Sequence, residues 1–111
     1  MKDANFGPLY AACLYPEMSS IARAHGYALA VHGSLARDFD LIAIPWVDRP
    51  STSQQVVNAI CYHYALQQAG KPNLKPHGRL AYSLVAMHGD CMIDLQFVLT
   101  QQEKDNYNEQ Q

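Results

Sequence analysis

Hydrophobic and polar positions divide this chain into short blocks of different period. Leu9, Ala12, Cys13, Ile21 and Ala22 lie between Gly7-Pro8 and Gly26; this predicts a first helix, restarted or kinked at Pro16 and stopped at Gly26. Tyr27-Ala28-Leu29-Ala30-Val31-His32 is a short apolar run bounded by glycines and reads as a buried strand. From Asp38 to Ile44 the period is two: Asp38, Asp40, Ile42 and Ile44 fall on one face of a strand, with Phe39, Leu41 and Ala43 on the other. Pro45 ends it. Ser51-x-x-Gln54 reads as a capping box that opens a helix. Val56, Val57, Ile60, Cys61, Tyr64 and Ala65 then recur at helical spacing until Gly70 and Pro72, an amphipathic helix of about five turns. Leu80 to Met87 and Cys91 to Val98 flank His88-Gly89-Asp90 and read as a β-hairpin.

The order helix, strand, strand, helix, strand, strand predicts an α+β fold: one mixed or antiparallel sheet of about four strands with two main helices packed on it. Residues 1–100 are expected to form the single domain. Residues 101–111 contain Tyr107 as their sole large apolar side chain and are expected to be a disordered polar tail. At 111 residues a separate substrate domain is not expected.

Composition narrows the class of function. With 16% charged residues and a formal net charge of -2, the chain lacks the field needed for an extended nucleic-acid surface. No apolar run approaches the roughly 20 residues that span a bilayer, and the Met1 start lacks a signal-peptide pattern. The expectation is a soluble, cytoplasmic protein with no membrane partner. Cys13, Cys61 and Cys91 are an odd set without paired spacing, which argues against disulfides and zinc and suggests buried small hydrophobes. His25, His63 and His88 show no zinc-ligand spacing with Cys61 or Cys91 either.

The carboxylates carry the candidate chemistry. Asp38 and Asp40 at i and i+2 on a strand point the same way, about 7 Å apart along the backbone, within reach of one or two hard cations. Without a cation or basic partner the two repel and raise a pKa. Asp94 lies mid-strand in Cys91-Met92-Ile93-Asp94-Leu95-Gln96-Phe97, and a buried carboxylate requires compensation. Upstream, Gly33-Ser34 closes the first strand in a turn whose backbone amides and hydroxyl could approach a phosphate.

A strand, Gly33-Ser34, then Asp38-x-Asp40 on the next strand and Asp94 on a later one together resemble the minimal members of the polymerase-β-like nucleotidyltransferase superfamily. The likeness runs from the helix before Tyr27 to about Val98. It implies that Asp38, Asp40 and Asp94 are catalytic and bind Mg²⁺. Gly33 and Ser34 would contact the phosphates of a nucleoside triphosphate, and Asp94 would help deprotonate an acceptor hydroxyl; Arg37, directly before Asp38, is a further candidate phosphate contact. The reaction would be in-line nucleotidyl transfer with release of pyrophosphate. The chain departs from the family in one place: only Leu35, Ala36 and Arg37 stand between Gly-Ser and Asp-x-Asp, where the family has a longer connection with a helical turn. The phrases GYALAVHGSLARDFDLIAIPW, KPHGRLAYSL and IDLQF also resemble small phage and prophage proteins of unassigned function.

Other readings compete. Asp38 and Asp40 could be a strand end neutralised by Arg37 or by the basic segment of Lys71, Lys75, His77 and Arg79. Asp94 could be bonded to backbone amides or paired with Arg79, and Gly33-Ser34 could be an ordinary tight turn. His32, on the side of Ala28 and Ala30, is a hydrogen-bonded histidine near a sheet end or a base. Trp46 is a core lid or a surface anchor. The alternative to an enzyme is a catalytically inactive, phage-encoded binding protein on the same fold, such as an inhibitor of a host defence complex of the anti-CRISPR kind. A third is an antitoxin that modifies its toxin. So small an enzyme would also need a protein partner or a second copy of the chain to hold its acceptor. The catalytic reading requires the three aspartates to converge around a cation-sized space.

Overall fold

The computed structural model describes residues 7–35, 38–86 and 92–109. Its elements are α1 (Gly7–Ala24), β1 (Tyr27–His32), β2 (Phe39–Pro45), α2 (Ser53–Tyr64), β3 (Leu66–Gln68), β4 (Asn73–Leu74), β5 (Leu80–Ala86), β6 (Met92–Phe97) and α3 (Gln101–Glu109). They form one mixed sheet in the order β1-β2-β6-β5-β3, with β4 paired to β5. Among the described residues β2 and β6 run parallel and the other pairings are antiparallel. The class is α+β, as the element order predicts, with six strands in place of the four expected and a third helix.

One face of the sheet holds the core. Phe39, Leu41 and Ala43 of β2, Ile93, Leu95 and Phe97 of β6 and Leu84 of β5 are buried against Met18 and Ala22 of α1 and Val56, Val57 and Ile60 of α2. Phe97 sits edge-on to both Tyr27 and Tyr82, at centroid separations of 5.3 and 5.5 Å, the geometry that aromatic quadrupoles favour. The alternate residues face the other way. Ala28, Ala30 and Ile44 are exposed, and Asp40, Ile42 and Asp94 are half-buried. Strand alternation thus gives a dry helical face and an open face that carries the carboxylates.

Several expectations need correction. α2 starts one residue later than the sequence pattern suggests: Thr52 is the cap, its hydroxyl accepting from Gln55 N–H at 3.2 Å while the Gln55 side chain accepts from Thr52 N–H at 2.9 Å. The helix also ends at Tyr64 rather than near Gly70, because Ala65 adopts a left-handed conformation (φ 55°) and its N–H closes on the Cys61 carbonyl. The released Leu66–Gln68 pairs with the outer edge of β5, so tertiary strand pairing overrides the helix propensity of this stretch. α1 runs unbroken through Pro16. Trp46 is 63% exposed, a surface residue and not a lid. Cys13 is exposed as well, and Cys61 is only partly buried. Cys91 and the His88-Gly89-Asp90 turn lie outside the described residues, although the β5–β6 pairing they were expected to join is present.

The tail expected to be disordered is helical over Gln101–Glu109. Thr100 Oγ accepts from Glu103 N–H at 3.1 Å. The Glu103 carboxylate reaches back to accept from Ser53 N–H at 2.7 Å and Ser53 Oγ–H at 2.5 Å. A carboxylate there satisfies an otherwise orphaned donor in the first turn of α2 and meets the positive end of its dipole. Tyr107 packs onto the core from the same helix.

At the opposite margin, β1 is an edge strand. Trp46 N–H bonds to the Gly26 carbonyl, and the antiparallel alternation then turns the Leu29 carbonyl outward, where the Tyr15 hydroxyl of α1 donates to it at 2.6 Å. Among the described residues no helix is long and apolar enough to cross a membrane.

Candidate functional site

Asp40 and Asp94 are direct neighbours, register partners across the parallel β2–β6 pair. Their flanking residues Phe39, Leu41, Ile93 and Leu95 are all buried in the core, which forces both aspartates onto the open face. His32 is the partner of Asp40 on its other side, across the antiparallel β1–β2 pair. The three side chains therefore form a row across β1, β2 and β6, near the end of the sheet where Gly33 and Ser34 leave β1. Asp38 stands just before β2, and its Oδ1 accepts from the backbone N–H of Met92 at 3.2 Å, tying the start of β6 to the start of β2.

The electrostatics of this row are unfavourable as they stand. The Asp40 carboxyl is held above its usual range, first by burial, then by the repulsion of Asp94 and, less strongly, of Asp38, with His32 acting in the opposite sense. Among the described residues Asp40 has no hydrogen-bond or ion-pair partner. The Nε2 atom of His32 is likewise buried and unpartnered. Gly33 allows the arrangement: its φ of +78° favours glycine, and a Cβ there would overlap Asp40 Oδ2 and lie 3.3 Å from both Cβ and Cγ of Asp40.

Among the described residues Asp94 is neither bonded to backbone amides nor paired directly with Arg79, the two structural alternatives for it. Its Oδ2 accepts from Gln96 Nε2 at 3.0 Å, and Gln96 Oε1 accepts from Arg79 Nε at 3.0 Å. Gln96 was not among the candidate residues. The signal was in the sequence: Asp94-x-Gln96 on a strand places both side chains on one face. Of the other phosphate-contact candidates, Ser34 is exposed in the loop after β1, and Arg37 lies outside the described residues.

A divalent cation fits this donor set in part. Two adjacent carboxylates are hard oxygen ligands, and their repulsion would be relieved by positive charge between them. Among the described residues no three His, Cys, Asp or Glu side chains converge into a cage, so the expected three-aspartate centre is not closed. Mg²⁺ commonly takes only one or two carboxylates and completes its shell with water and phosphate, so the Asp40–Asp94 pair meets that smaller requirement.

A cleft of about 730 Å³ lies elsewhere, bordered by Ser53, Lys71, Tyr82, Glu103 and Tyr107. Its carboxylate is already bonded to α2. Burial, followed by the Glu103 charge and the neighbouring Tyr82, pushes the Tyr27 phenol well up; Tyr82 is also raised, chiefly by burial. Ser53, Tyr82 and Glu103 bond to one another there, which makes this a structural cluster. His63 is likewise engaged, at 2.5 Å from Glu17.

No protein-family model matches the chain, and no curated protein matches it.

Proposed function

We propose that the open face carries a divalent-cation site for phosphate-ester chemistry, and that the chain is a nucleotidyltransferase-like protein moving a nucleotidyl group from a nucleoside triphosphate to a hydroxyl acceptor. The observation that supports this reading best is the side-by-side placement of Asp40 and Asp94 on one face, a repulsive pair with which no base among the described residues forms an ion pair, although His32 acts against the repulsion at Asp40. Functional carboxylates are tolerated in such arrangements at a cost to stability.

In this reading Asp40 and Asp94 hold Mg²⁺, and Asp38 fixes the start of β6 relative to β2. Bound there, the cation supplies charge stabilisation to the attacking and leaving oxygens of an in-line displacement. Gly33 keeps the space beside Asp40 free of a side chain. The oxygen of Asp94 not bonded to Gln96 is the candidate acceptor of the hydroxyl proton.

The reading is tested by thermal melting with Mg²⁺ and each nucleoside triphosphate at millimolar concentration. The expected result is a rise in Tm that requires both components and disappears in Asp40→Asn. No shift with any nucleotide would overturn it. The open three-aspartate arrangement favours a second reading, a non-catalytic binding protein on the same fold. That reading predicts a stoichiometric protein complex unaffected by a chelator.

A further inference from the structure

Resting on the cation-site reading, we infer that Arg79 is an anion subsite beside the Asp40–Asp94 pair and takes a phosphate group of the bound nucleotide. Arg79 immediately precedes β5 and its side chain is partly exposed. It spends one N–H on Gln96. Its remaining described side-chain contact is Nη2 against His77 Nε2 at 3.3 Å, and among the described residues no carboxylate pairs with it. A guanidinium has five donors in a rigid fork, so its terminal edge stays available for two parallel bonds to one oxyanion.

Gln96 fixes where that edge sits. The residue is 8% exposed, and its amide is used at both ends, its oxygen toward Arg79 and its nitrogen toward Asp94. Turned over, the amide would set a donor against the guanidinium and an acceptor against the carboxylate. Both contacts would then be lost, so the network selects one orientation. Arg79 and Asp94 are thereby held at opposite ends of one buried side chain. The resulting charge order is two carboxylates, then a guanidinium. A free anion is repelled by the carboxylates, whereas a cation-bound phosphate meets complementary charge along the row. The sheet order β1-β2-β6-β5 places this phosphate contact on the β5 side of the carboxylates, away from the turn that follows β1.

Calorimetric titration of the full chain separates the two readings. Mn²⁺ alone probes the carboxylates, and adenosine triphosphate with saturating Mg²⁺ probes Arg79. Arg79→Ala should weaken nucleotide binding about 10- to 100-fold, the loss expected for a charge-assisted bidentate contact. Mn²⁺ affinity should stay within about threefold, a change of under 1 kcal/mol. Gln96→Glu should also weaken nucleotide binding, because its carboxylate would capture the guanidinium; Arg79→Lys should restore part of the affinity. Each variant must retain a cooperative melt. Undiminished nucleotide affinity in a folded Arg79→Ala overturns the subsite and leaves the cation reading standing if Asp40→Asn abolishes Mn²⁺ binding. A wild-type chain that binds Mn²⁺ but no nucleotide overturns the subsite; one that binds neither overturns both.

Discussion

The Asp40 carboxylate fills the space that a side chain on Gly33 would occupy. The turn that ends β1 and the carboxylate on β2 are thus mutually fitted, and neither can change shape independently. Gly33→Ala is expected to lose about 1–3 kcal/mol from backbone strain and overlap. Pairing it with Asp40→Ala should recover the steric part, leaving only the cost of the positive φ. A double-mutant cycle by urea denaturation measures this coupling. Strict additivity would show that the close approach is not maintained in solution.

Asp40 also sets a pH dependence. Its carboxyl is raised in the folded state, so the folded protein binds that proton more tightly than the unfolded chain does. The favourable contribution is complete below the ordinary carboxylate range and is lost as pH rises through the raised folded value. Asp40→Asn should therefore increase Tm at pH 7, by about 2–5 °C for a domain of this size. That advantage should shrink on acidification and on adding Mn²⁺ to the wild type. A lower Tm for the variant at pH 7 would count against the repulsion described.

The end of α2 offers a test in the opposite direction. Ala65 occupies the left-handed region that glycine adopts without penalty. Ala65→Gly should stabilise the chain by about 0.5–1 kcal/mol with no change in ligand binding. An unchanged or lowered denaturation midpoint would mean that α2 does not stop there.

The bonds from Glu103 to Ser53 make α3 part of the domain. Glu103→Gln should cost about 1–3 kcal/mol, because a buried-edge charged acceptor facing two donors is replaced by a neutral one. Ending the chain at Thr100 should cost more, since Tyr107 is lost as well. A truncated chain with full stability would return residues 101–109 to the status of a tail.

How much of this was legible in the sequence depended on how local the determinant was. β1 was legible because glycines bound a uniformly apolar run, and the faces of β2 were legible because alternation is a local property. The positions of Asp40 and Asp94 on one face follow from two separate alternations, but their adjacency depends on the parallel β2–β6 pairing, which no short stretch encodes. The end of α2 was obscured because Ala65-Leu66-Gln67-Gln68-Ala69 suits a helix, and the free edge of β5 decides otherwise. α3 was missed for its polarity. Thr100-x-x-Glu103 nevertheless has the spacing of a capping box, and the bond that anchors the helix is to Ser53, distant in sequence. Gln96 illustrates the same limit: its face could be read, whereas its role as the link between Arg79 and Asp94 requires the fold.

The margin of the sheet at β1 has a consequence for how the molecule behaves in company. Tyr-Ala-Leu-Ala-Val carries none of the charges or prolines by which exposed strands ordinarily discourage a neighbour from adding on. The phenol of Tyr15, bonded to the Leu29 carbonyl, takes their place as a stopper lent by the adjoining helix. Tyr15→Phe keeps the ring and frees that acceptor, and sedimentation of this variant should become concentration-dependent while the wild type stays constant. A single hydroxyl group would then mark where one particle ends and a ribbon of particles could begin.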